Sequence, residues 1–206
     1  FGDYAGNANT TGQYSVYIGT RAGATATTSG NNTALGGEAL RYNTSNNQTA
    51  VGYKALQQNT TGLLNTAVGE NAFDANTTGS QNTGLGSQAG GANTTGDYNC
   101  FIGRQSGQKN TTGDQNTSLG AYALVENTTN NESTAIGYGA LQNSTGANNT
   151  TLGSYAGDNI TSGSNNTVIG RNADASSATV SNEITLGDTN ITKFRVPGLN
   201  FSIKDS

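Results

Sequence analysis

An aliphatic or aromatic residue followed by glycine recurs along the whole chain at an almost fixed interval. The steps between successive copies are 17, 17, 16, 17, 17, 17, 17, 17, 16, 17 and 17 residues. The anchor residues are Phe1, Ile18, Leu35, Val51, Val68, Leu85, Ile102, Leu119, Ile136, Leu152, Ile169 and Leu186. A unit this short cannot bury a core alone, so consecutive units must stack and share one. The period therefore predicts a solenoid.

The composition alone would predict a disordered chain. Only 32% of the 206 residues are hydrophobic and 11% are charged, which is typical of a polar chain that stays disordered. The regular spacing outweighs that reading, because stacked repeats build a continuous core. Glycine, asparagine and β-branched anchors disfavour helix in every repeat. We therefore predict an all-β fold, a parallel β-roll of about eleven 17-residue coils, roughly 50 Å long at the usual inter-strand spacing.

Each repeat contains a short predicted strand, such as Thr66-Ala67-Val68. Residues two apart on a strand share a face, so the threonine and the aliphatic anchor should point the same way. We expect that aliphatic residue to be buried. The strands are separated by Asn-Thr-Thr-Gly segments, whose glycine and asparagine suit a tight corner. Asparagines stacked at the coil spacing can also form a ladder of hydrogen bonds.

Two further positions of the repeat carry the predicted core. Three residues after the anchor glycine, ten copies have alanine and one has serine, which indicates two backbones in close approach. The next residue is large in some coils and glycine in most of the others. The large ones are Leu40, Leu56, Phe73, Leu124 and Leu141. In an extended segment they would point away from the alanines and form a second apolar face, which sister copies of the chain would cover.

The repeat changes character near the C-terminal end. The corner segments stop after Ala173, although the spacing holds once more to Leu186. We divide the chain into a repeat shaft, 1–176, and a cap or junction region, 177–206. Alternation through Leu199, Phe201 and Ile203 predicts a strand after a turn at 197–198.

Catalytic residues are scarce. Histidine is absent and Cys100 is the single cysteine, so Ser-His, Cys-His and zinc sites lack partners. We expect no enzyme and no cofactor. Asp97 and Asp114 each follow a corner glycine and should lie about 5 Å apart on successive coils. They are a weak candidate for a cation site, with a solvated pair relieved by Lys109 or water as the alternative.

Tyrosines supply the candidate recognition surface. Five of them lie one or two residues after an anchor glycine, where other coils carry charged or polar residues: Tyr4, Tyr53, Tyr122, Tyr138 and Tyr155. Tyrosine rings with hydroxyl rims suit sugar faces. Packing between subunits explains the same positions, and both interpretations stay open.

Charge and hydropathy restrict the partners. The net charge is −4 and there is no basic tract, which argues against nucleic acid or an anionic membrane as partner. No apolar run is long enough for a membrane-spanning helix, so we expect no membrane insertion.

The repeat resembles the shaft of bacteriophage tail fibres, in the runs TAVGYKAL (49–56) and NTTG and in the closing NEITLGDTNITKFRV (182–196). In that family such a segment leads into an intramolecular chaperone, here expected beyond Ser206. The aliphatic-Gly-small pattern also resembles the heads of YadA-type trimeric autotransporter adhesins, which are trimers of left-handed parallel β-rolls. Their repeat is shorter, so handedness and subunit packing do not carry over.

The resemblance implies a homotrimer, either intertwined or side by side, in a virion tail that contacts a host cell-surface polysaccharide or protein. A bacterial surface adhesin is the alternative. A second alternative is an ice-binding solenoid, because threonine-rich β-rods present flat arrays. Such a surface would need two outward threonines per coil, whereas the expected neighbour of Thr66 is a buried Val68.

Overall fold

The computed structural model describes residues 1–195, and they form eleven strands of three residues each. The strands are β1 (Val16–Ile18), β2 (Thr33–Leu35), β3 (Thr49–Val51), β4 (Thr66–Val68), β5 (Thr83–Leu85), β6 (Cys100–Ile102), β7 (Thr117–Leu119), β8 (Thr134–Ile136), β9 (Thr150–Leu152), β10 (Thr167–Ile169) and β11 (Ile184–Leu186). All lie in one parallel sheet in chain order. Register is constant, since Thr66 pairs with Thr49 on one side and Thr83 on the other. The predicted β-solenoid is confirmed.

Side chains alternate along every strand, as the pleat requires. The middle residue of β2 to β10 is buried, and the first and third residues point outward. The threonine and the anchor aliphatic therefore share a face, as predicted. The expectation that this aliphatic is buried was wrong: Leu35 and Leu85 are 45% and 48% exposed.

The anchor glycines lie where consecutive coils make a tight backbone contact. Gly69 has φ 140°, and a Cβ placed on it would lie 2.4 Å from the carbonyl oxygen of Gly86, one coil further on. An L-residue rarely adopts this φ, and the contact leaves no volume for a side chain. The aliphatic-glycine period is therefore a requirement of coil stacking.

Alanines and large apolar residues both fill the interior of the coil. From Ala22 onward the alanine column is fully buried, for example at Ala72 and Ala89. The second apolar face was predicted wrongly, because Leu40, Leu56, Phe73, Leu124 and Leu141 are also buried inside the single chain. Their φ values, 48° to 56°, are left-handed rather than extended. That conformation turns the side chain inward, so these residues need no sister copy to cover them.

Glycines make room for the two largest core rings. Phe73 and Phe101 stack with ring centroids 5.9 Å apart. A Cβ on Gly84 or Gly90 would lie 2.6 or 2.4 Å from Phe73, and one on Gly107 would lie 2.6 Å from Phe101. Large and absent side chains therefore alternate between facing positions, which keeps the core filled.

Buried asparagines bond neighbouring coils together. Asn76 Nδ2 donates to Asn59 Oδ1 at 2.8 Å and to its own corner carbonyl, Gly79 O, at 2.9 Å. The same pattern repeats up the column, which confirms the predicted ladder. This first asparagine ladder comprises Asn43, Asn59, Asn76, Asn93, Asn110 and Asn127.

A second asparagine ladder precedes the strands and was not predicted. Asn65 Oδ1 accepts the backbone N–H of Asn82 at 2.9 Å, and Asn65 Nδ2 donates to Gly79 O at 2.8 Å. Equivalent bonds join Asn82 to Asn99 and Asn99 to Asn116. The central coils, from Asn59 to Asn116, thus each contribute two buried amides that hydrogen-bond across the stack, which satisfies polar groups that would otherwise destabilise the interior.

The sheet extends past residue 176. β11 pairs with β10 in the same register, although it belongs to the region 177–206 that the sequence assigned to a cap or junction. The strand predicted through Leu199, Phe201 and Ile203, with its turn at 197–198, lies outside the described residues. Within residues 1–195 there is no helix of the length and hydropathy needed to cross a membrane.

Candidate binding surface

Three of the five candidate tyrosines form one cluster. Tyr138 contacts Tyr122 and Tyr155 edge to face, with centroids 5.6 and 5.3 Å apart and interplanar angles of 69° in both pairs. Arg104 lies over the Tyr122 ring, its guanidinium carbon 5.1 Å from the centroid, and hydrogen-bonds the Tyr122 hydroxyl. We call Arg104, Tyr122, Tyr138 and Tyr155 the tyrosine ladder. It spans four consecutive coils on one side of the rod.

The repeat itself positions this ladder. Tyr122 and Tyr155 are the second residues after an anchor glycine, with φ 61° and 56°, whereas Tyr138 is the first. Gly139 occupies the second position between them. A Cβ on Gly139 would lie 2.9 Å from two atoms of the Tyr155 ring, so the missing side chain accommodates that ring. The one-residue offset lets the rings meet at their edges.

The ladder stays open to solvent. Tyr138 is 47% exposed and Tyr155 is 37% exposed. Partial desolvation raises the pKa of Tyr155, and its hydrogen bond to Tyr138 and the charge of Asp158 raise it further. The hydroxyl therefore remains protonated at neutral pH and can donate a hydrogen bond. Apolar ring faces, hydroxyl rims and a guanidinium together suit a polyhydroxylated ligand.

The other two candidate tyrosines lie apart from this ladder. Tyr53 is 49% exposed, with Lys54 Nζ 5.2 Å from its ring centroid, and its ring covers Gly37 of the preceding coil. Tyr4 is 64% exposed in the first coil. The structure therefore brings together Tyr122, Tyr138 and Tyr155 but not Tyr4 or Tyr53.

The candidate cation pair has a backbone role. The Asp97 N–H donates to Asp114 Oδ1 at 2.8 Å, and Asp97 Oδ1 accepts the Ser80 N–H at 2.6 Å. Each carboxylate thus accepts a backbone N–H from the preceding coil. Asn131 Oδ1 accepts the Asp114 N–H in the same way. Lys109 pairs with Glu126 at 2.7 Å, so the lysine expected beside these aspartates lies elsewhere. Residues 1–195 contain no group of three His, Cys, Asp or Glu side chains that could hold a metal.

A shallow polar cleft was missed by the sequence analysis. It is an open depression of about 490 Å³ lined by Lys54, Asn71, Asp74, Gln88, Gly91, Ala92, Gln108 and Lys109. Gln88 Oε1 accepts hydrogen bonds from Gln105 and Gln108, and burial raises the pKa of Asp74 while Lys54 opposes that shift. The sequence feature that could have indicated this cleft is Gly91. It occupies the repeat position that holds Asp74 in the preceding coil and Gln108 in the following coil.

An acidic pair lies beside the tyrosine ladder. Burial raises the pKa of Asp158, and the neighbouring carboxyl of Asp174, which also hydrogen-bonds it, raises the pKa further. The folded state therefore binds a proton more tightly than the unfolded state. Stability is lost as the pH rises above the unfolded pKa of about 3.9.

Replacing Asp158 with asparagine is expected to stabilise the chain at pH 7 and not at pH 3. Because the pair is partly solvated, the gain should be only about 0.5 kcal/mol, or roughly 1 to 2 °C in Tm. Thermal unfolding at both pH values measures it, with Asp3→Asn at an exposed site as control. An equal gain at pH 3 would show that charge repulsion is not the cause.

Comparison of the chain with protein-family models, with curated proteins and with solved structures finds no match.

Proposed function

We propose that the chain is a structural segment of a viral tail fibre or spike: a stiff rod, built from three identical chains, that sets the reach of the particle. The observation that carries the proposal is the unbroken sheet of eleven strands reinforced by two buried asparagine ladders. At about 4.8 Å per coil this stack is roughly 50 Å long. The strand pairing keeps one register from β1 to β11, which suits a stiff rod.

Attachment to host-surface glycans is the second part of the proposal. The tyrosine ladder offers exposed rings and hydroxyls on the flank of the rod, which suits a polysaccharide lying along it. Three chains would present three ladders. Weak single contacts then add by avidity when the glycan is itself a repeating polymer.

Binding to purified bacterial surface polysaccharides tests the attachment. Replacing Tyr138 with serine removes the ring that contacts both neighbours and should weaken binding roughly five- to tenfold, as expected for losing an aromatic contact of about 1 kcal/mol. Tyr14→Ser is the matched control, because Tyr14 is 85% exposed outside the ladder. Equal weakening by both substitutions would remove the ladder from the proposal, and no binding to any polysaccharide would remove the attachment role.

A bacterial surface adhesin would use the same rod. Immunogold labelling distinguishes the two locations, since a tail fibre labels virions and an adhesin labels the cell envelope.

Adsorption to ice is a second candidate function, favoured by one observation. The outward residues of each strand are exposed or half-exposed and keep a constant register, so Thr66 and Val68 belong to one regular array. The expected burial of the aliphatic residue, which had argued against this function, is not found. Thermal hysteresis in a cooled solution of the chain would support it.

A further inference from the structure

The outward side of the eleven-stranded sheet is an uncharged surface that is exposed or half-exposed, with one aliphatic column beside one that is mostly threonine. We call it the strand face: the first and third residue of every strand from β1 to β11. Its third-residue column is aliphatic in all eleven strands, and none of its outward positions carries a charge. Leu119 and Leu152, for example, are 46% and 49% exposed. Few other large aliphatic side chains of the described chain are as exposed, Leu63, Leu64 and Ile191 being the others.

The strand face is long and continuous, because every strand contributes two uncharged outward residues. Contiguous apolar patches beyond a few hundred Å² mark interaction surfaces. The strand face runs for about 50 Å, and two outward columns with their side chains make it roughly 10 Å wide, so its area is about 500 Å². A face of this size and shape suits a partner that packs along its length.

We propose that the strand face is the surface along which copies of this chain pack side by side, in register, around a common axis. The inference rests on the proposed three-chain rod and names the surface that assembles it. Each chain would bury this face of about 500 Å² and part of its rim, shared between its two neighbours, which approaches the roughly 800 Å² per chain typical of stable interfaces.

The coil spacing selects a copy of the chain as partner. Side chains on the strand face project at the inter-strand interval of about 4.8 Å, and a partner that packs along the full length must repeat at the same interval. A second copy does so by construction. In-register symmetry also matches the uneven sizes of the aliphatic column, since Val51 meets Val51 and Leu85 meets Leu85 at each level.

The first-residue column argues for protein packing over ice. It holds threonine in eight strands, but Val16, Cys100 and Ile184 interrupt it. These three residues keep the column uncharged but remove its hydroxyl at those levels. An ice-binding array needs the regular hydroxyls, whereas an interface between chains needs the absence of charge.

The test places charge on the strand face and, for comparison, at the same spacing elsewhere. The first variant of the 206-residue chain carries Val51→Glu, Leu85→Glu and Leu119→Glu. The control carries Thr61→Glu, Thr95→Glu and Thr129→Glu, each ten residues further along the same coils and exposed at a corner. Analytical ultracentrifugation gives the mass, and far-UV circular dichroism checks the fold.

We expect the wild-type chain and the control to sediment at three times the chain mass of 20.9 kDa, and the strand-face variant at a single chain mass. A strand-face variant that stays trimeric overturns the inference and leaves the three-chain rod intact. A monomeric wild type overturns the rod and the inference with it, and thermal hysteresis would then assign the face to ice.

Cross-linking decides the question if the charged variant fails to fold. Leu85→Cys in a Cys100→Ser background places one thiol on the strand face, and Thr95→Cys in the same background places it at a corner. A short bis-maleimide should join chains through the first and not the second. Equal cross-linking of both, or of the corner alone, overturns the inference.

Discussion

Replacing Gly69 with alanine is expected to lower the free energy of unfolding by about 3 kcal/mol, because two independent penalties add at this residue. Its φ of 140° is one that side-chain-bearing residues rarely adopt. The new Cβ would also lie 2.4 Å from the carbonyl oxygen of Gly86 and 2.6 Å from its carbonyl carbon. These are backbone atoms and cannot rotate away. Relief requires that two coils separate, which breaks the sheet between β4 and β5.

Urea denaturation followed by circular dichroism measures this loss, with Gly91→Ala as control. Gly91 lies five residues after an anchor glycine, and a Cβ there meets nothing nearer than Asp74 Oδ1 at 3.5 Å. Its substitution should change stability by less than about 0.5 kcal/mol. If Gly69→Ala is as mild as this control, the close stacking at the anchor glycines is not what fixes the 17-residue period.

The sequence predicted the features that depend on a single position of the repeat. A fixed alanine column, fixed glycines and the Thr-x-aliphatic strands each follow from one residue type at one register, and all were found where the period placed them. The asparagine ladder at Asn76 followed in the same way, because a corner repeated at constant register stacks its side chains.

The large apolar side chains point into the core because their backbone is left-handed. The spacing of residue types does not reveal backbone dihedral angles, so this direction could not be predicted from it. Leu56 reads as a residue of an extended segment, but its left-handed φ of 49° points it into the core. The sequence does contain one indication of the inward direction, in the residue sizes at two positions of the repeat. Glycine at Gly90 and Gly107 coincides with a large middle-strand residue, Phe101, which indicates that both positions share one interior.

The exposure of the strand face was not predicted because of the same error. Once Leu56 and its equivalents fill the interior, no volume remains for the anchor aliphatics, and Val51 and Leu85 must lie outside. The tyrosine ladder was only half predicted for a different reason. Its rings occupy two adjacent registers, so alignment of the repeats finds the tyrosines but not their contacts.

Replacing Asn76 with aspartate is expected to destabilise the chain by about 3 to 5 kcal/mol at pH 7, the usual cost of an uncompensated buried charge. Asn76 is fully buried, and its Nδ2 faces two groups that can only accept there, Asn59 Oδ1 at 2.8 Å and Gly79 O at 2.9 Å. A carboxylate oxygen in that place repels both acceptors. The hydrogen bond from the following coil is kept, because Asn93 Nδ2 can still donate to the other carboxylate oxygen of the new aspartate.

The pH dependence separates this charge effect from simple loss of packing. Burial among acceptors raises the folded-state pKa of the new carboxyl above its unfolded value of about 3.9. The folded state then binds the proton more tightly. The variant is therefore most stable below about pH 4 and loses stability as the pH rises from there through the folded-state pKa. At pH 3 the protonated carboxyl donates to one acceptor, and the deficit should shrink to about 1 kcal/mol.

Urea titrations at pH 3 and pH 7 measure the difference, and Asn31→Asp provides the same chemical change at an exposed residue. That control should stay within about 0.5 kcal/mol of the wild type at both values. A deficit for Asn76→Asp that is equal at pH 3 and pH 7 would mean that shape, and not the alternation of donors and acceptors, holds the first asparagine ladder together. The register would then depend on the sheet, the second asparagine ladder and the glycine contacts rather than on the first ladder.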